Sequence, residues 1–525
     1  MAYNRCITPG ISASLLAAGL FLVAAGCASL DKMTSPSAPQ EDQPDPVVHA
    51  RIEELSARWE QEPVPVGLEP QVFFDDAVIL EKSEGWVRKQ GVPVKLNEGE
   101  PVLKPDRSWE GPIAGAYFTV LTNDAGLIQM WYSCGGETYR GMMVGSYMSL
   151  AYAESDDGFE WRKPRLLPDF DNVVLSPAFG AGVTYDRHER RGGHRYKIVY
   201  GSVGMRGVSP LHGLAFGHSG NGKKWSFYED VRMLDAPRSD TQCNILWDEE
   251  LDLYRVYSRT MTSGGRSSRL DVRPVIGASR LFVVARALFL PLPVAPWTHV
   301  ADTFPPESGE IYSMTVYKYG GLYIGNLALF SKQILIDYCL AYSRDGATWD
   351  LQYVSPEQAL IPRGGEKSFD AGMVYPCHGQ PIEHGAQWLL YYGGSWRDHS
   401  QEPHGEPREY VSAVGVASIR KEGFLYLENE GETARLVTKS FVLEGSALEV
   451  NADASKGRVA VDVLPGDGDA SASPLLRGVP IERDGVRVGM EWKDGRLADW
   501  VGRTVRLRFD TRGPVRLYGF QVVQK

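Results

Sequence analysis

The feature that most constrains this chain is a phrase that recurs along its middle: an acidic residue, an apolar strand, a turn and a second strand. In one copy, Asp240 precedes the apolar run Cys243-Asn244-Ile245-Leu246-Trp247, and a second strand follows from residue 253 to 258. A third strand of small and apolar residues comes next. In three copies it runs into an Asx-Gly turn and a Trp: Asp157-Gly158 with Trp161, Asn221-Gly222 with Trp225, and Asp345-Gly346 with Trp349. Such recurrence predicts a repeated supersecondary unit.

The copies begin roughly 60 to 70 residues apart, near Glu110, Asn172, Asp240, Glu310 and Asp370. Each copy has room for about four strands, which predicts a five-bladed β-propeller. The Asx-Gly step provides the positive φ that a tight hairpin needs. The early strand at residues 72–77 is expected to close the ring by pairing with the last blade.

The chain divides into four parts by composition. Residues 1–27 read as a signal peptide, because a short apolar run ends in small residues before Cys27. Residues 28–68 are rich in Pro, Ser and Asp and read as a disordered tether. Residues 69–435 hold the propeller. After about residue 436 the repeat stops and alternating strands begin, so residues 436–525 read as a small C-terminal β-sandwich in an all-β protein.

The sequence Ala24-Ala25-Gly26-Cys27 resembles the lipobox of bacterial lipoproteins. This resemblance implies cleavage before Cys27, lipidation of its thiol and attachment to a membrane of the bacterial cell envelope. Ala28 directly after Cys27 favours the outer membrane, facing the cell surface or the periplasm. The alternative is a plain secretory signal with an incidental Cys.

Bulk composition excludes some functions and favours others. A net charge of −11 disfavours nucleic acid as a partner. The 25 Tyr and 13 Trp residues suit either a carbohydrate-facing cleft or a β core. The cysteines beyond Cys27 show no zinc spacing and read as buried free thiols: Cys134, Cys243, Cys339 and Cys377. No metal site and no cofactor are predicted.

Four carboxylates occupy equivalent places at the starts of predicted innermost strands: Glu110, Asp240, Glu310 and Asp370. Innermost strands converge on the propeller axis, so these groups can face one another in one funnel. Glycosidic hydrolysis needs such a pair, with one group as acid and another as nucleophile or base. A single acid before a strand is more often a turn residue, and Asp124, Asp186 and Asp248 are assigned that structural role. The candidates for substrate binding are Arg238, Arg259, His378 and Trp396.

The propeller region resembles the five-bladed glycosidases related to glycoside hydrolase families 32, 43 and 68. The resemblance rests on Val72-Phe73-Phe74-Asp75-Asp76, Met130-Trp131-Tyr132-Ser133, residues 153–161 and Tyr391-Tyr392-Gly393-Gly394. More closely, the region resembles bacterial proteins described as family-32-like, and the resemblance implies hydrolysis or transfer of a sugar. The chain lacks the Trp-Met-Asn-Asp-Pro-Asn-Gly, Arg-Asp-Pro and Glu-Cys motifs of invertase-like enzymes.

The leading hypothesis is therefore an envelope glycoside hydrolase that uses Asp240, Glu310 and Asp370, supported by Glu110, with Glu310 as general acid. A second hypothesis is a glycan-binding lipoprotein without catalysis. A third is a phosphorolytic relative, which requires a cationic phosphate pocket built from Arg238, Arg259 or Arg397.

Overall fold

The computed structural model describes residues 46–135, 148–166, 171–202, 213–233, 241–263, 265–273, 297–304, 309–331, 334–469 and 471–525. Cys27 and the signal peptide lie outside these ranges, so the lipid anchor stays a prediction. Arg238 and Asp240 also lie outside them. Within these ranges, no helix has the length and apolar character needed to cross a membrane.

The second half of the predicted tether is part of the folded body. A helix spans Pro46–Ala57 and buries Ile52 and Leu55 against blades 3 and 4, which are defined below. Farther along, Trp59, Val64 and Val66 are buried in the core of the C-terminal sandwich. The prediction of a disordered tether to residue 68 is therefore wrong for residues 46–68. The apolar residues of this segment are few, but they cover two apolar surfaces, one on blades 3 and 4 and one on the sandwich.

Five antiparallel blades follow one another along the chain, as the repeat predicts. Their innermost strands begin at Ala114, Phe179, Asn244, Glu310 and Met373, within seven residues of the predicted starts. Blade 1 contains Ala114–Thr122, Ile128–Cys134, Ser149–Ser155 and Val173–Leu175; blade 2 contains Phe179–Tyr185, Tyr196–Ser202, Gly213–Ser219 and Ser226–Met233; blade 3 contains Asn244–Asp248, Leu253–Thr262, Gly265–Arg273 and Thr298–Asp302; blade 4 contains Glu310–Tyr319, Leu322–Ser331 and Leu335–Ser343; blade 5 contains Met373–Pro376, Ile382–His384, Gln387–Ser395, Ser412–Arg420 and Val94–Lys95.

Hydrogen bonds between neighbouring innermost segments close the ring of blades. They run from Val183 N to Thr119 Oγ1 (3.1 Å), from Cys243 N to Gly180 O (2.7 Å), from Asn244 Nδ2 to Val316 O (3.1 Å), from Thr315 Oγ1 to Cys377 O (2.9 Å) and from His378 N to Phe118 O (2.9 Å). Each bond joins one blade to the next, and the last returns from blade 5 to blade 1. The fold is thus a five-bladed β-propeller.

The Asx-Gly turn found in the sequence joins neighbouring blades. The glycines of the three turns have φ values of +84°, +71° and +73°. Each glycine carbonyl accepts a hydrogen bond from an aromatic side chain of the preceding blade: Tyr391 OH to Gly158 (2.8 Å), Trp131 Nε1 to Gly222 (2.6 Å) and Tyr257 OH to Gly346 (2.8 Å). The repeat therefore encodes contacts between blades as well as hairpins.

The strand that closes blade 5 differs from the predicted one. Val94–Lys95 pairs with Ser412–Arg420, the last strand of blade 5 in chain order, with Lys95 opposite Ala417. The predicted closing segment, Gln71–Val72, instead pairs with the sandwich, where Gln71 lies opposite Phe520. Burial of apolar surface explains this pairing, because Phe73 is fully buried against Phe509 and Phe520 in the sandwich core.

The C-terminal sandwich draws strands from both ends of the described chain. One sheet contains Gln71–Val72, Trp86–Gln90, Leu425–Asn429, Ala447–Asp453, Asp484–Gly489 and Val515–Val523; the other contains Ile79–Lys82, Thr433–Thr438, Phe441–Val442, Arg458–Pro465 and Thr504–Arg512. The sandwich therefore begins near Leu425 and includes part of residues 69–90, which were assigned to the propeller. The four cysteines in the described part of the chain are buried and free, as predicted.

Candidate active site

The innermost strands begin at one end of the propeller axis, here called the front end, and finish at the opposite, rear end. At the front end lies a mostly buried apolar cluster, and five of its side chains, from four blades, are here called the front patch: Tyr117, Phe179, Tyr312, Met373 and Tyr375. Gly180, next to Phe179, leaves room for the backbone of the neighbouring blade, because a Cβ at this residue would lie 1.7 Å from the Thr241 carbonyl oxygen. The close approach brings blades 2 and 3 together at the axis.

Polar groups on the front patch form a chain of hydrogen bonds. The Tyr312 hydroxyl lies 3.3 Å from the Tyr117 hydroxyl and 3.1 Å from Nε2 of His399. The chain links blades 1 and 4 to the loop that follows Gln387–Ser395 of blade 5. Hydroxyl and imidazole groups can donate or accept, so this chain suits a ligand rich in hydroxyl groups.

A carboxylate and two guanidinium groups lie beside the same patch. Glu310 opens blade 4, its side chain is 24% exposed, and its Oε2 forms an ion pair with Arg266. The guanidinium carbons of Arg259 and Arg266 each lie 6.0 Å from the centre of the Tyr312 ring. Of the predicted residues, Glu310 is therefore paired with Arg266, and Arg259 lies over the Tyr312 ring that Arg266 also approaches.

Glu110 does not face the front patch. Its side chain is 0% exposed and forms an ion pair with Lys163, with Oε1 to Nζ at 2.8 Å. Oε2 accepts from the backbone N–H groups of Asp106 and Arg107, and the Tyr132 hydroxyl also donates to the carboxylate. All hydrogen-bonding positions are used inside the fold, so the prediction of a catalytic role for Glu110 is corrected to a structural one.

Asp370 is also an interior residue. Its side chain is 1% exposed, and Oδ2 forms an ion pair with Lys95 Nζ at 2.5 Å. Lys95 belongs to the strand that closes blade 5, and its ammonium group lies over the Tyr392 ring. The pair therefore fastens the closing strand to the start of blade 5, which contradicts a position in an open funnel. Glu110, Glu310 and Asp370 thus have three different cationic partners.

His378 lies on the axis itself. Its Nδ1 is 3.0 Å from Thr119 Oγ1, its ring is buried, and its side chain also bonds to the backbone of Val183 and Ile245. It thereby connects blades 5, 1, 2 and 3 between the two ends of the axis. His378 therefore lies between the two ends of the axis, contrary to the prediction that it binds substrate together with Glu310.

Protonation of His378 is expected to weaken the fold. Burial lowers the pKa of His378 from its ordinary value of 6.5 to about 4. Because the unfolded chain binds this proton more readily, the stabilisation is complete above pH 6.5 and is lost as the pH falls towards 4. We expect the loss to approach about 3 kcal/mol. Urea denaturation at pH 7 and pH 4.5 measures it, and His378→Gln should show the smaller decrease of the two proteins. Equal decreases would contradict the assignment.

Trp396 is buried, and its ring is covered by the Arg397 guanidinium at 4.6 Å. Its indole N–H donates to the Tyr410 carbonyl at 2.6 Å. It therefore packs the blade 5 loop, contrary to the predicted role in substrate binding. Arg238 and Asp240 lie outside the described residues, so their roles stay predictions.

Sequence reasoning missed Arg266 and the tyrosines of the front patch. Tyr312 stands two residues after Glu310, a spacing that places both side chains near the same end of the axis. Arg266 comes from a hairpin of the preceding blade, and no spacing in the sequence connects it with Glu310.

Several solved structures are similar to this chain at low sequence identity. No protein-family model and no curated protein matches the chain. Among solved structures, the chain is similar to a glycoside hydrolase at 12% identity, which covers 63% of this chain and 93% of the other, with a TM-score of 0.43. An N-acetylgalactosamine deacetylase from F. plautii, in complex with blood group B trisaccharide, is 12% identical, covers 64% and 96%, and has a TM-score of 0.42.

A third structure comes from glycoside hydrolase family 130, a family of mannoside phosphorylases that contains hydrolases of β-1,2 mannosidic linkages in Candida mannan. It is 14% identical, covers 64% of this chain and 95% of the other, and has a TM-score of 0.42. Members of families 43 and 32 are also among the similar structures, at 9% and 10% identity and with TM-scores of 0.31 and 0.35. At these identities the similarity assigns no family and no substrate.

Proposed function

We propose that this protein is a glycan-active enzyme that cleaves a glycosidic bond at the front end of the propeller. The observation that carries the proposal is the position of Glu310. Of the three described carboxylates predicted to be catalytic, it alone is partly exposed, and it lies beside an aromatic patch and two guanidinium groups. Sugar-binding sites need the same combination of aromatic faces and polar groups.

In this proposal Glu310 acts as the general acid that protonates the leaving oxygen. Asp240, which lies outside the described residues and precedes the first strand of blade 3 in the sequence, is the proposed nucleophile or base. The front patch supports the apolar face of a sugar ring. The Tyr117, Tyr312 and His399 chain exchanges hydrogen bonds with sugar hydroxyls, since each of its members can donate or accept.

Phosphorolysis is the second candidate, and a specific observation favours it. Arg259 and Arg266 both approach the Tyr312 ring, so two guanidinium groups lie beside the front patch. Paired guanidinium groups bind phosphate in bidentate geometry. In this mechanism phosphate attacks the anomeric carbon while Glu310 protonates the leaving oxygen.

Product analysis separates the candidates. The purified protein is incubated with neutral oligosaccharides that differ in linkage, with and without inorganic phosphate, and the products are identified by mass spectrometry. Free sugar formed without phosphate supports hydrolysis, and sugar phosphate formed with phosphate supports phosphorolysis. Saturable binding of an oligosaccharide without any product would overturn the enzymatic proposal in favour of a glycan-binding protein.

A further inference from the structure

A cavity of about 540 Å³ opens at the rear end of the propeller axis, where the innermost strands finish. Every blade contributes to its wall, in order through Thr122, Thr184, Trp247, Lys318 and Gln380. A volume of this size falls in the range of cavities that enclose small ligands. The cavity is at the opposite end of the axis from Glu310.

The rear cavity is separated from the front patch by His378. This residue lines the cavity, and its buried ring is bonded to Thr119 of blade 1 and to the backbone of blades 2 and 3. A ligand in the rear cavity would therefore contact none of the groups proposed for catalysis.

An aromatic pair lines the rear cavity. The rings of His188 and Trp247 stack with centroids 4.5 Å apart and an angle of 15° between their planes. Tyr254 packs edge-on against Trp247 at 4.8 Å and holds it in place. The two stacked rings offer a flat apolar surface, which suits a ligand that has an apolar face.

The charged side chains of the lining are mostly compensated within the protein. Lys318 forms ion pairs with Glu250 and Asp248, Arg187 with Asp124, and Glu383 with Lys421. The Asp186 carboxylate accepts from the His188 backbone N–H at 2.9 Å and from the Tyr254 hydroxyl at 2.5 Å. Glu249, the remaining charged residue, would repel an anion. The cavity therefore disfavours an anionic ligand.

We propose that the rear cavity is a second ligand site, which binds a neutral saccharide unit against the His188–Trp247 pair. The saccharide places an apolar ring face on the aromatic pair and its hydroxyl groups towards Thr122, Thr184 and Gln380. The proposal rests on the rear cavity alone and stands whether or not the front patch is catalytic.

Ligand-observed NMR and calorimetry with glucose, mannose, galactose and their β-linked disaccharides test the proposal on the whole protein. We expect saturable binding of at least one of these sugars. His188→Ala, at an exposed residue that the fold tolerates, should weaken the affinity about tenfold. Thr184→Trp fills the cavity without changing the aromatic pair, and it should abolish binding.

Glu310→Gln is the matched control, since it changes the front end and leaves the rear cavity intact. It should retain the rear-site affinity, whereas His188→Ala should retain any glycosidic activity. No binding of the sugars to the wild-type protein would overturn the proposal. Binding that is unchanged in both rear variants, or lost in Glu310→Gln alone, would also overturn it. Preference for adenosine over every sugar would reassign the cavity to a nucleoside.

Discussion

Glu310→Gln is expected to lower the turnover number about 100- to 10,000-fold, the usual contribution of a general acid or base. The amide has nearly the shape of the carboxylate but cannot transfer the proton. Because Glu310 is exposed and its known partner is Arg266, the change should leave the melting temperature close to that of the wild-type protein. Initial rates on the best oligosaccharide and thermal unfolding of both proteins measure these two effects.

Glu110→Gln is the matched control for this experiment. It makes the same chemical change at a second predicted catalytic residue, but in a carboxylate that is buried and paired with Lys163. It should lower the melting temperature and leave the turnover number of the folded protein nearly unchanged. Loss of turnover in Glu110→Gln with full activity in Glu310→Gln would reverse the assignment.

Asp248→Asn is expected to reduce the free energy of unfolding by about 3 to 5 kcal/mol, because it leaves a buried cation without its counter-ion. Asp248 Oδ2 lies 2.6 Å from Arg255 Nε, and neither side chain is exposed. The Tyr323 hydroxyl donates to the same oxygen at 2.5 Å, and its ring lies under the Arg255 guanidinium. Equilibrium denaturation in urea measures the change.

The pKa of Asp248 reflects the same contacts. Burial alone would raise this pKa, but the charges of Arg255 and Lys318 and the hydrogen bond from Tyr323 lower it below its ordinary value. The stabilisation is therefore present above the unfolded pKa and is lost as the pH falls through the lower, folded pKa. Asp124→Asn is the control, because Asp124 forms ion pairs at the surface, which contribute little. An equal loss of stability in the two variants would contradict the argument.

The internal repeat predicted the propeller because each copy contains its own local signals. The Asx-Gly turns adopt the positive φ that their residue types favour, and their positions relative to the strands repeat from blade to blade. The position of Asp248, at the turn between the first two strands of its blade, likewise predicted its structural role.

The sandwich was harder to delimit because its strands are far apart in sequence. Trp86–Gln90 pairs with Leu425–Asn429, and Ile79–Lys82 pairs with Thr433–Thr438. Pairings over more than 300 residues leave no local pattern that distinguishes them from a blade strand.

By itself, the sequence determined the number of blades, the approximate start of each blade and the acidic residue near four of those starts, because these depend on local turns and on alternating apolar residues. Tertiary structure alone decided which of those acids reaches solvent. Glu110 and Asp370 are buried and form ion pairs with Lys163 and Lys95, which are distant from them in sequence. Glu310 remains partly exposed beside the front patch. The physical reason is that a buried carboxylate needs a cation and hydrogen-bond donors, and only the folded chain brings these together.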